Sequence, residues 1–225
     1  MERLVKHALT SVGSRCSSRT VHRLNAVVNY LEVGRWVRDH GFGDVKRVGS
    51  RLDVFEAIAQ DVRDESVLYL EFGVYEGDSM RWWSANLTHP GAHLHGFDSF
   101  EGLPESWSHG ERTGHFSTGG RVPVVDDPRV RFVRGWFEDT LPSYEPPDHT
   151  GLVAVLDADL YSSTAFVLGW LRQRIEPGSY LYFDEFHDRM HELRAFDEFL
   201  ARGELRFRAV AASKDLSQIA FRCEV

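Results

Sequence analysis

Four acidic residues lie just after two apolar segments, at positions where their side chains could act together. Asp157 and Asp159 follow L-V-A-V-L, and Asp184 and Glu185 follow S-Y-L-Y-F. Residues two apart on a strand share a face, and a turn at a strand end can aim two adjacent side chains inward. Massed carboxylates repel one another unless a cation lies among them, and all-oxygen ligands suit Mg²⁺ or another hard divalent ion. The pattern favours a metal site formed by Asp157, Asp184 and Glu185, with helix caps and ordinary arginine ion pairs as the alternative.

A divalent ion would give these acids a role in making a nucleophile. An ion lowers the pKa of a hydroxyl group that it binds, and a neighbouring carboxylate can then accept the proton. Asp159, beside the expected ligand Asp157, is the candidate general base. His187 is the second candidate, with a surface histidine on a loop as its alternative interpretation.

A second group of residues lies in V-L-Y-L-E-F-G-V-Y-E-G-D-S, residues 67–79, which is typical of a strand, a glycine turn and a helix start. Glycine lets the backbone approach a ligand, and the helix N-terminus supplies free N–H groups. Glu71, Glu76 and Asp78 surround the turn, and their charge would repel a phosphate and favour a cation. S-adenosylmethionine, which carries a sulfonium and an ammonium group, fits this loop; an ordinary tight turn is the alternative.

A further acid, Asp98, follows the next apolar segment, A-H-L-H-G-F. An acid at the end of the second strand of an open parallel sheet usually binds the ribose hydroxyls of a nucleoside ligand. Its position favours this role over a cap of the following turn.

The elements that would hold these residues alternate between strands and helices. Five strands are predicted, at residues 67–72, 92–97, 130–134, 152–156 and 179–183. Two final strands, 205–210 and 218–223, have no helix between them, which predicts a C-terminal hairpin with one antiparallel strand. We therefore predict an α/β fold with a Rossmann-like, doubly wound, seven-stranded and mostly parallel sheet.

The remaining segments are predicted to be helices and one long loop within a single domain, residues 1–225. Residues 1 to about 50 show no convincing strand, and residues 1–62 are predicted to be an N-terminal helical region that includes a helix from Arg51 to Val62 after an N-cap at Ser50. Residues 102–122 are rich in glycine, aromatic residues and histidine, and we expect them to form a lid over the site.

Composition limits the class of protein. The 225 residues, 42% hydrophobic, suffice for a full core, and the formal net charge of −8 argues mildly against nucleic-acid or membrane-surface partners. We find no apolar run near the ~20 residues of a membrane span and no apolar segment typical of a signal peptide. Cys16 and Cys223 are interpreted as free thiols in a reducing compartment. We therefore expect a cytoplasmic protein.

With these motifs, the chain resembles the macrocin O-methyltransferase (TylF-type) family of class I S-adenosylmethionine-dependent enzymes. The resemblance covers about Leu70 to Leu200 and rests on L-E-F-G-V-Y-E-G-D-S, G-F-D-S-F-E-G-L-P, G-W-F-E-D-T-L-P, L-D-A-D-L-Y-S-S-T and P-G-S-Y-L-Y-F-D-E-F. It implies a Rossmann-like enzyme that methylates a sugar hydroxyl of a natural product, such as a macrolide or an aminocoumarin, with Mg²⁺.

The resemblance also implies roles for individual residues. It implies that Asp157 is a metal ligand and Asp159 the general base. Asp184 and Glu185 fall where the family usually has two adjacent aspartates, so Glu185 is a departure that keeps the charge and lengthens the side chain. The residues expected to contact the cofactor are Glu71, Gly73, Tyr75, Glu76, Ser79, Asp98, Ser99, Gly135, Trp136, Phe137 and Asp157.

The sequence therefore predicts a metal-assisted, S-adenosylmethionine-dependent O-methyltransferase. The expected acceptor is a small-molecule glycoside or a nucleotide sugar, and we expect a homo-oligomer. One alternative is a metal-independent O-methyltransferase that acts on another small-molecule hydroxyl. The other is a non-catalytic partner subunit that has the methyltransferase-like fold and binds the cofactor.

Overall fold

A computed structural model describes residues 2–107 and 112–225. Its strands are β1 Lys46–Val48, β2 Val67–Phe72, β3 His93–Asp98, β4 Val130–Arg134, β5 Gly151–Leu156, β6 Tyr180–Phe183, β7 Phe207–Ser213 and β8 Ile219–Cys223. Its helices are α1 Glu2–Gly13, α2 Ser18–Asp39, α3 Arg51–Val62, α4 Asp78–Asn86, α5 Phe137–Thr140, α6 Tyr161–Leu171 and α7 Glu192–Leu200, with a 3-10 turn at Leu141–Ser143. Strands and helices therefore alternate through most of the chain after α3.

The strands form one sheet in the order β1-β7-β8-β6-β5-β2-β3-β4. Every pairing is parallel except those of β8, which is antiparallel to both β6 and β7. The predicted Rossmann-like, mostly parallel sheet with an antiparallel C-terminal hairpin is confirmed. Asp98 is the last residue of β3, whereas the sequence placed it just beyond the strand.

The sheet has eight strands where seven were predicted, and the extra strand corrects the expectation of no strand in residues 1–50. Strand β1 pairs in parallel with β7, with Lys46 opposite Ala211 and Val48 opposite Ser213. It is three residues long, and both Lys46 and Arg47 are exposed. A short, polar edge strand carries no apolar run, so its backbone pairing could not be recognised from periodicity.

The central strands are apolar because helices cover both faces of the sheet. All six residues of β2 are buried, and five of the six in β5. Side chains alternate between faces, so Leu70 packs in one core cluster and Tyr69 in the other. Full burial of such a side chain contributes about 1.5–3 kcal/mol, and this packing holds the carboxyl ends of the strands in fixed positions.

The N-terminal helices differ in how they attach to this core. Helix α1 is exposed along its described side chains, whereas α2 buries Val33 and Val37. The Trp36 indole N–H donates to Asp197 Oδ1 of α7 at 2.6 Å, which anchors α2 beside the sheet. Of the helices in residues 2–107 and 112–225, none combines the length and the apolar character needed to span a bilayer.

Candidate active site

A pocket of about 810 Å³ opens beyond the carboxyl ends of β2, β3, β5 and β6. This is the edge of an open parallel sheet at which ligands bind. Eleven of the predicted site residues line it: Gly73, Tyr75, Asp98, Ser99, Gly135, Trp136, Phe137, Asp157, Asp159, Asp184 and Glu185. The structure therefore brings together residues from four separate motifs.

Four predicted site residues lie outside the pocket lining. Glu71 is buried at the end of β2, and Glu76 is exposed on the far side of the turn. Ser79 is buried in α4, where its hydroxyl accepts a hydrogen bond from Arg51. His187 stacks on Tyr30 of α2, with ring centroids 4.9 Å apart.

The glycine loop after β2 is pressed against the end of β5. Gly73 has φ +92°, and a Cβ there would lie 1.8 Å from the Asp157 carbonyl oxygen. Its N–H donates to the Phe97 carbonyl at 3.0 Å, so the loop is fixed to β3 as well. Only glycine combines this φ with so close an approach, and the backbone of the loop consequently forms one wall of the pocket.

Asp98 orients the same loop through its carboxylate. Oδ2 accepts the N–H groups of Val74 and Tyr75 at 2.8 and 2.9 Å, and Oδ1 accepts that of Phe100 at 2.7 Å. The turn cap weighed as an alternative to ribose binding is therefore present. Each carboxylate oxygen has two acceptor sites, so these bonds leave capacity for a ligand hydroxyl in the pocket.

The environment of Glu71 contradicts the expectation that this acid gives the glycine loop a negative charge. Its carboxyl is buried and accepts a hydrogen bond from the Tyr69 hydroxyl at 3.1 Å. Burial raises the pKa of Glu71 to about 8, so this group is mostly neutral near pH 7. Asp78 is exposed and paired with Arg81 at 2.9 Å. The loop acids therefore do not form a negative surface facing the pocket.

The negative charge of the pocket comes instead from the ends of β5 and β6. Asp157, Asp159, Asp184 and Glu185 all line it, and the Asp184 carboxylate also accepts the Tyr182 hydroxyl. Burial, followed by the charges of Asp184 and Asp159, raises the pKa of Glu185 to about 8. Burial also raises the pKa of Asp157 well above its usual value. These carboxylates are costly to keep ionised without a nearby cation.

Arg51 is the positively charged residue that lies at this cluster. Its Nη2 is 3.9 Å from Asp157 Oδ2, and its Nε is 3.7 Å from Asp184 Oδ1. Arg51 is not among the site residues predicted from the sequence. One signal was present, since an arginine in the first turn of α3 opposes the helix dipole and calls for a compensating partner.

The carboxylates of Asp157, Asp184 and Glu185 suit a divalent ion by their chemistry, because they place hard oxygen donors at adjacent strand ends. Their placement is less complete. Within residues 2–107 and 112–225, no three histidine, cysteine, aspartate or glutamate side chains are arranged to hold a metal. Two of the three expected ligands face Arg51 instead.

Asp159 occupies an unusual backbone conformation. Its φ is +58°, in the left-handed region that residues other than glycine seldom adopt. Such a conformation costs of order 1–3 kcal/mol and is retained where the surrounding structure requires it. Asp159 lies in the pocket wall two residues after Asp157, where the sequence predicted a general base.

Glu192 is a second residue that the sequence analysis missed. It is fully buried in the first turn of α7, and its Oε2 accepts the backbone N–H of Glu185 at 2.9 Å. Burial raises its pKa well above the usual value for a glutamate. The contact fixes the turn that presents Asp184 and Glu185, and it joins residues on separate elements, so no local pattern indicated it.

The predicted lid supplies another wall of the pocket. Leu103, Pro104, Glu105, Trp107 and Phe116 line it. The two arms of the loop are joined where the Leu103 N–H donates to the His115 carbonyl at 2.9 Å. The Ser162 hydroxyl of α6 donates to Glu105 Oε1 at 2.7 Å. Residues 108–111 of the predicted lid lie outside the described part of the chain.

Comparisons with known proteins identify the family. A model of the macrocin-O-methyltransferase (TylF) family matches residues 44–209. The chain belongs to this family. The match begins before Arg51 and extends through β6 and α7, so it includes every residue that lines the pocket.

Two curated relatives of this TylF-family chain are named as O-methyltransferases. An "8-demethyl-8-(2,3-dimethoxy-alpha-L-rhamnosyl)-tetracenomycin-C 4'-O-methyltransferase" from Streptomyces olivaceus is 33% identical over 64% of this chain and 65% of its own length. A "Mycinamicin III 3''-O-methyltransferase" from Micromonospora griseorubida is 33% identical over 45% of this chain and 39% of its own length. The chain thus spans about two fifths to just under two thirds of these relatives.

Solved structures share the fold. The O-methyltransferase NovP superposes with a TM-score of 0.57 at 23% identity, covering 78% of each chain. The calicheamicin methyltransferase CalS11 superposes with a TM-score of 0.58 at 22% identity, covering 76% of each chain. At this identity the likeness supports the Rossmann-like architecture alone.

Proposed function

We propose that the chain is an S-adenosylmethionine-dependent O-methyltransferase that methylates a sugar hydroxyl of a natural product or nucleotide sugar. The observation that carries the proposal is that one pocket is lined by the Gly73 loop, by Asp98 and by the carboxylates that follow β5 and β6. The family match supports the same conclusion, and so does the name of the Streptomyces olivaceus relative, which specifies a rhamnosyl group.

The cofactor half of the pocket follows from the glycine loop. We propose that S-adenosylmethionine lies along Gly73 and Tyr75, with its ribose hydroxyls against Asp98. Trp136 and Phe137 add an apolar wall that suits the flat adenine. Glu71 does not contact the cofactor in this proposal, because it is buried beneath the loop and does not line the pocket.

The acceptor half holds the base. We propose that the acceptor hydroxyl oxygen attacks the methyl carbon of the sulfonium, the C–S bond breaks, and S-adenosylhomocysteine leaves with the bonding electrons. The hydroxyl proton passes to Asp159, which lines the pocket. His187 is less well placed for this step, since it lies outside the lining and its Nδ1 faces Glu185 Oε2 at 3.3 Å.

A divalent ion, Mg²⁺ or a similar one, is part of the proposal. Asp157, Asp184 and Glu185 would hold it, and when bound it would lower the pKa of the acceptor hydroxyl. The oxygen donors support this assignment. A solved structure described as "cmcI-D160 Mg-SAM" shares the fold, with a TM-score of 0.52 at 18% identity. That description names Mg together with the cofactor, and the pairing is a fact about that protein alone.

We further propose that the chain acts as a cytoplasmic homo-oligomer without nucleic-acid or membrane partners. The net charge of −8 supports the second part, since polyanions would be repelled. Light scattering of the purified protein checks the assembly, and a single mass equal to one chain would refute it.

Cofactor binding is tested with S-adenosylhomocysteine and two aspartate variants. The ligand should raise the melting temperature, because it binds only the folded state. Asp98→Ala should reduce that shift, whereas Asp126→Ala, at an exposed position outside the pocket, should leave it unchanged. Tighter binding of NAD than of S-adenosylmethionine would refute the cofactor assignment.

Catalysis is tested with a panel of glycosides and nucleotide sugars. Asp159→Asn should keep the cofactor shift and lose turnover by about 10²–10⁴-fold, the usual contribution of a general base. Asp148→Asn, on an exposed loop, is the matched control. Cofactor binding without turnover on any acceptor would favour the non-catalytic partner, and full activity in excess EDTA would favour the metal-independent enzyme.

A further inference from the structure

The guanidinium of Arg51 lies between two of the carboxylates expected to bind a metal. The two ion-pair distances, 3.9 Å to Asp157 and 3.7 Å to Asp184, exceed hydrogen-bond length. Arg51 therefore acts on the pair through its charge and makes no direct hydrogen bond to either carboxylate.

Other contacts hold the Arg51 side chain at this position beside the carboxylates. Its Nη2 donates to the Ser79 hydroxyl of α4, and the guanidinium carbon lies 5.4 Å from the centre of the Phe55 ring. The side chain is 38% exposed and lines the pocket, so solvent and solutes can reach it. It is therefore anchored at one side and open at the other.

The position of Arg51 in its helix makes a purely local role less plausible. Arg51 is the first residue of α3, directly after the Ser50 N-cap. A positive charge in this turn faces the positive end of the helix dipole and is disfavoured there. The carboxylates at the ends of β5 and β6 offset that cost, which links Arg51 to the pocket rather than to its own helix.

We propose that Arg51 is the resident cation of the Asp157–Asp184 pair and competes with divalent ions for it. This rests on the proposed function only in placing those two residues at the methyl-transfer site. A guanidinium and a divalent ion cannot both lie within about 4 Å of the same oxygens without strong mutual repulsion. Arg51 therefore lowers the affinity of the site for metal and sets how much ion the enzyme needs.

Competition is measured as Mn²⁺ binding to the metal-free full chain by electron paramagnetic resonance, with no cofactor or acceptor present. Arg51→Gln should bind Mn²⁺ about tenfold or more tightly than the wild type, because one repelling charge is gone. Arg51→Lys, which keeps the charge, should stay near the wild type. Arg63→Gln, which removes an arginine paired with Glu56 at the other end of α3, is the matched control and should not change affinity.

A second variant guards against a folding defect. Arg51→Met keeps the aliphatic stem over Phe55 and should show the same gain as Arg51→Gln. Equal or weaker Mn²⁺ binding in both variants, or no binding in any of them, overturns the competition. A gain in metal affinity is a result that a residue with only a structural role would not give.

The cofactor experiment separates this failure from a failure of the proposed function. Each variant is also tested for the melting shift caused by S-adenosylhomocysteine without metal. A lost shift with unchanged Mn²⁺ affinity would overturn the proposal and assign Arg51 to the cofactor carboxylate. No shift in the wild type would instead count against the methyltransferase function, and the Mn²⁺ comparison would still decide the role of Arg51.

Discussion

Gly73 shows how one residue without a side chain shapes the pocket. Its backbone passes so close to the Asp157 carbonyl that a Cβ would lie 1.8 Å away. The glycine loop and the acidic end of β5 are thereby held in direct contact. The backbone of the loop and that of Asp157 are therefore fixed relative to each other.

Gly73→Ala is predicted to destabilise the fold by well over the roughly 1–2 kcal/mol that a Cβ costs in left-handed backbone. The added clash with Asp157 is with backbone and cannot be relieved by a rotamer change. Urea unfolding measures the loss. The matched control is Gly41→Ala, where φ is +78° and no atom lies within 4 Å of the new Cβ, so only the backbone cost applies. Equal losses in the two variants would contradict the packing explanation.

Glu71 is predicted to make stability depend on pH. Its pKa is about 8 in the folded protein and near 4.5 when exposed, so between these values the folded state holds a proton that the unfolded chain has released. The free energy of unfolding therefore falls as pH rises through this window, by about 1.4 kcal/mol per unit from this group.

Glu71→Gln should remove this contribution. From pH 5.5 to 7.5 the stability of the wild type should fall relative to the variant by about 2–3 kcal/mol. Urea unfolding at several pH values gives both curves. Glu76→Gln, on the exposed side of the same loop, should follow the wild type. Parallel curves for Glu71→Gln and wild type would show that Glu71 is not protonated on folding.

Some residues of the site could be predicted from the sequence and others could not, for physical reasons. Gly73, Asp98 and Asp157 lie at strand ends, and a strand end can be located from an apolar run followed by glycine or acid. Arg51 and Glu192 lie on helices whose first turns reach the site only after the sheet is assembled. Their contacts are tertiary, so no spacing within the chain encodes them.

At the scale of elements, the two described arms of the predicted lid contact each other near residue 102. Gly102 allows the two arms to pass this close to each other, because its φ is +86° and a Cβ at this position would lie 2.3 Å from the His115 carbonyl oxygen. Glu105 then contacts α6 through Ser162. Ring contacts of Trp107 with His191 and of Phe116 with Tyr75 also position the described arms, 102–107 and 112–122.

The arms of the lid are predicted to exchange amide hydrogens faster without ligand than with S-adenosylhomocysteine and an acceptor bound. Ordering a glycine-rich segment is costly in entropy, and ligand contacts with Leu103 and Phe116 in the pocket would offset that cost. Mass spectrometry of exchange in 112–122 measures the change. Helix α1 serves as the internal control, and identical protection of the arms in both states would remove the lid assignment.

The elements also show where reading a sequence succeeds. Strands β2 and β5 are buried on both faces, so continuous apolar runs identified them. Strand β1 is an exposed edge whose existence depends on pairing with β7, more than 160 residues later in the chain. Its formation follows from the assembled sheet and from nothing in its own composition.

At the scale of the whole molecule, β8 joins the first two strands of the sheet, β1 and β7, to the other five. Strand β6 pairs with β8 and not with β7, so β1 and β7 connect to the remaining strands only through β8. Ile219 and Phe221 of β8 are completely buried. Removing β8 would therefore open the sheet and expose apolar side chains on both sides of the gap.

Deletion of residues 218–225 is predicted to abolish cooperative folding. Truncating a single buried phenylalanine to alanine already costs about 3–5 kcal/mol, a large share of the stability of an ordinary domain. Deletion of residues 2–16 is the matched control, since the described side chains of α1 are exposed, and the melting temperature should stay near that of the full chain. Circular dichroism during heating compares the two, and a cooperative transition in the first variant would contradict the role of β8.

The place of β8 also matters while the protein is being made. A ribosome delivers β2 to β6 before β8, and these strands can pair as soon as they emerge. Synthesis from Phe183 to Cys223 then takes roughly 2–8 s at about 5–20 residues per second. During that interval the edge of β6 is open and can pair with a neighbouring nascent chain. The growing polypeptide therefore stays open to such pairing until β8 leaves the exit tunnel, and slow translation of residues 184–218 prolongs that exposure.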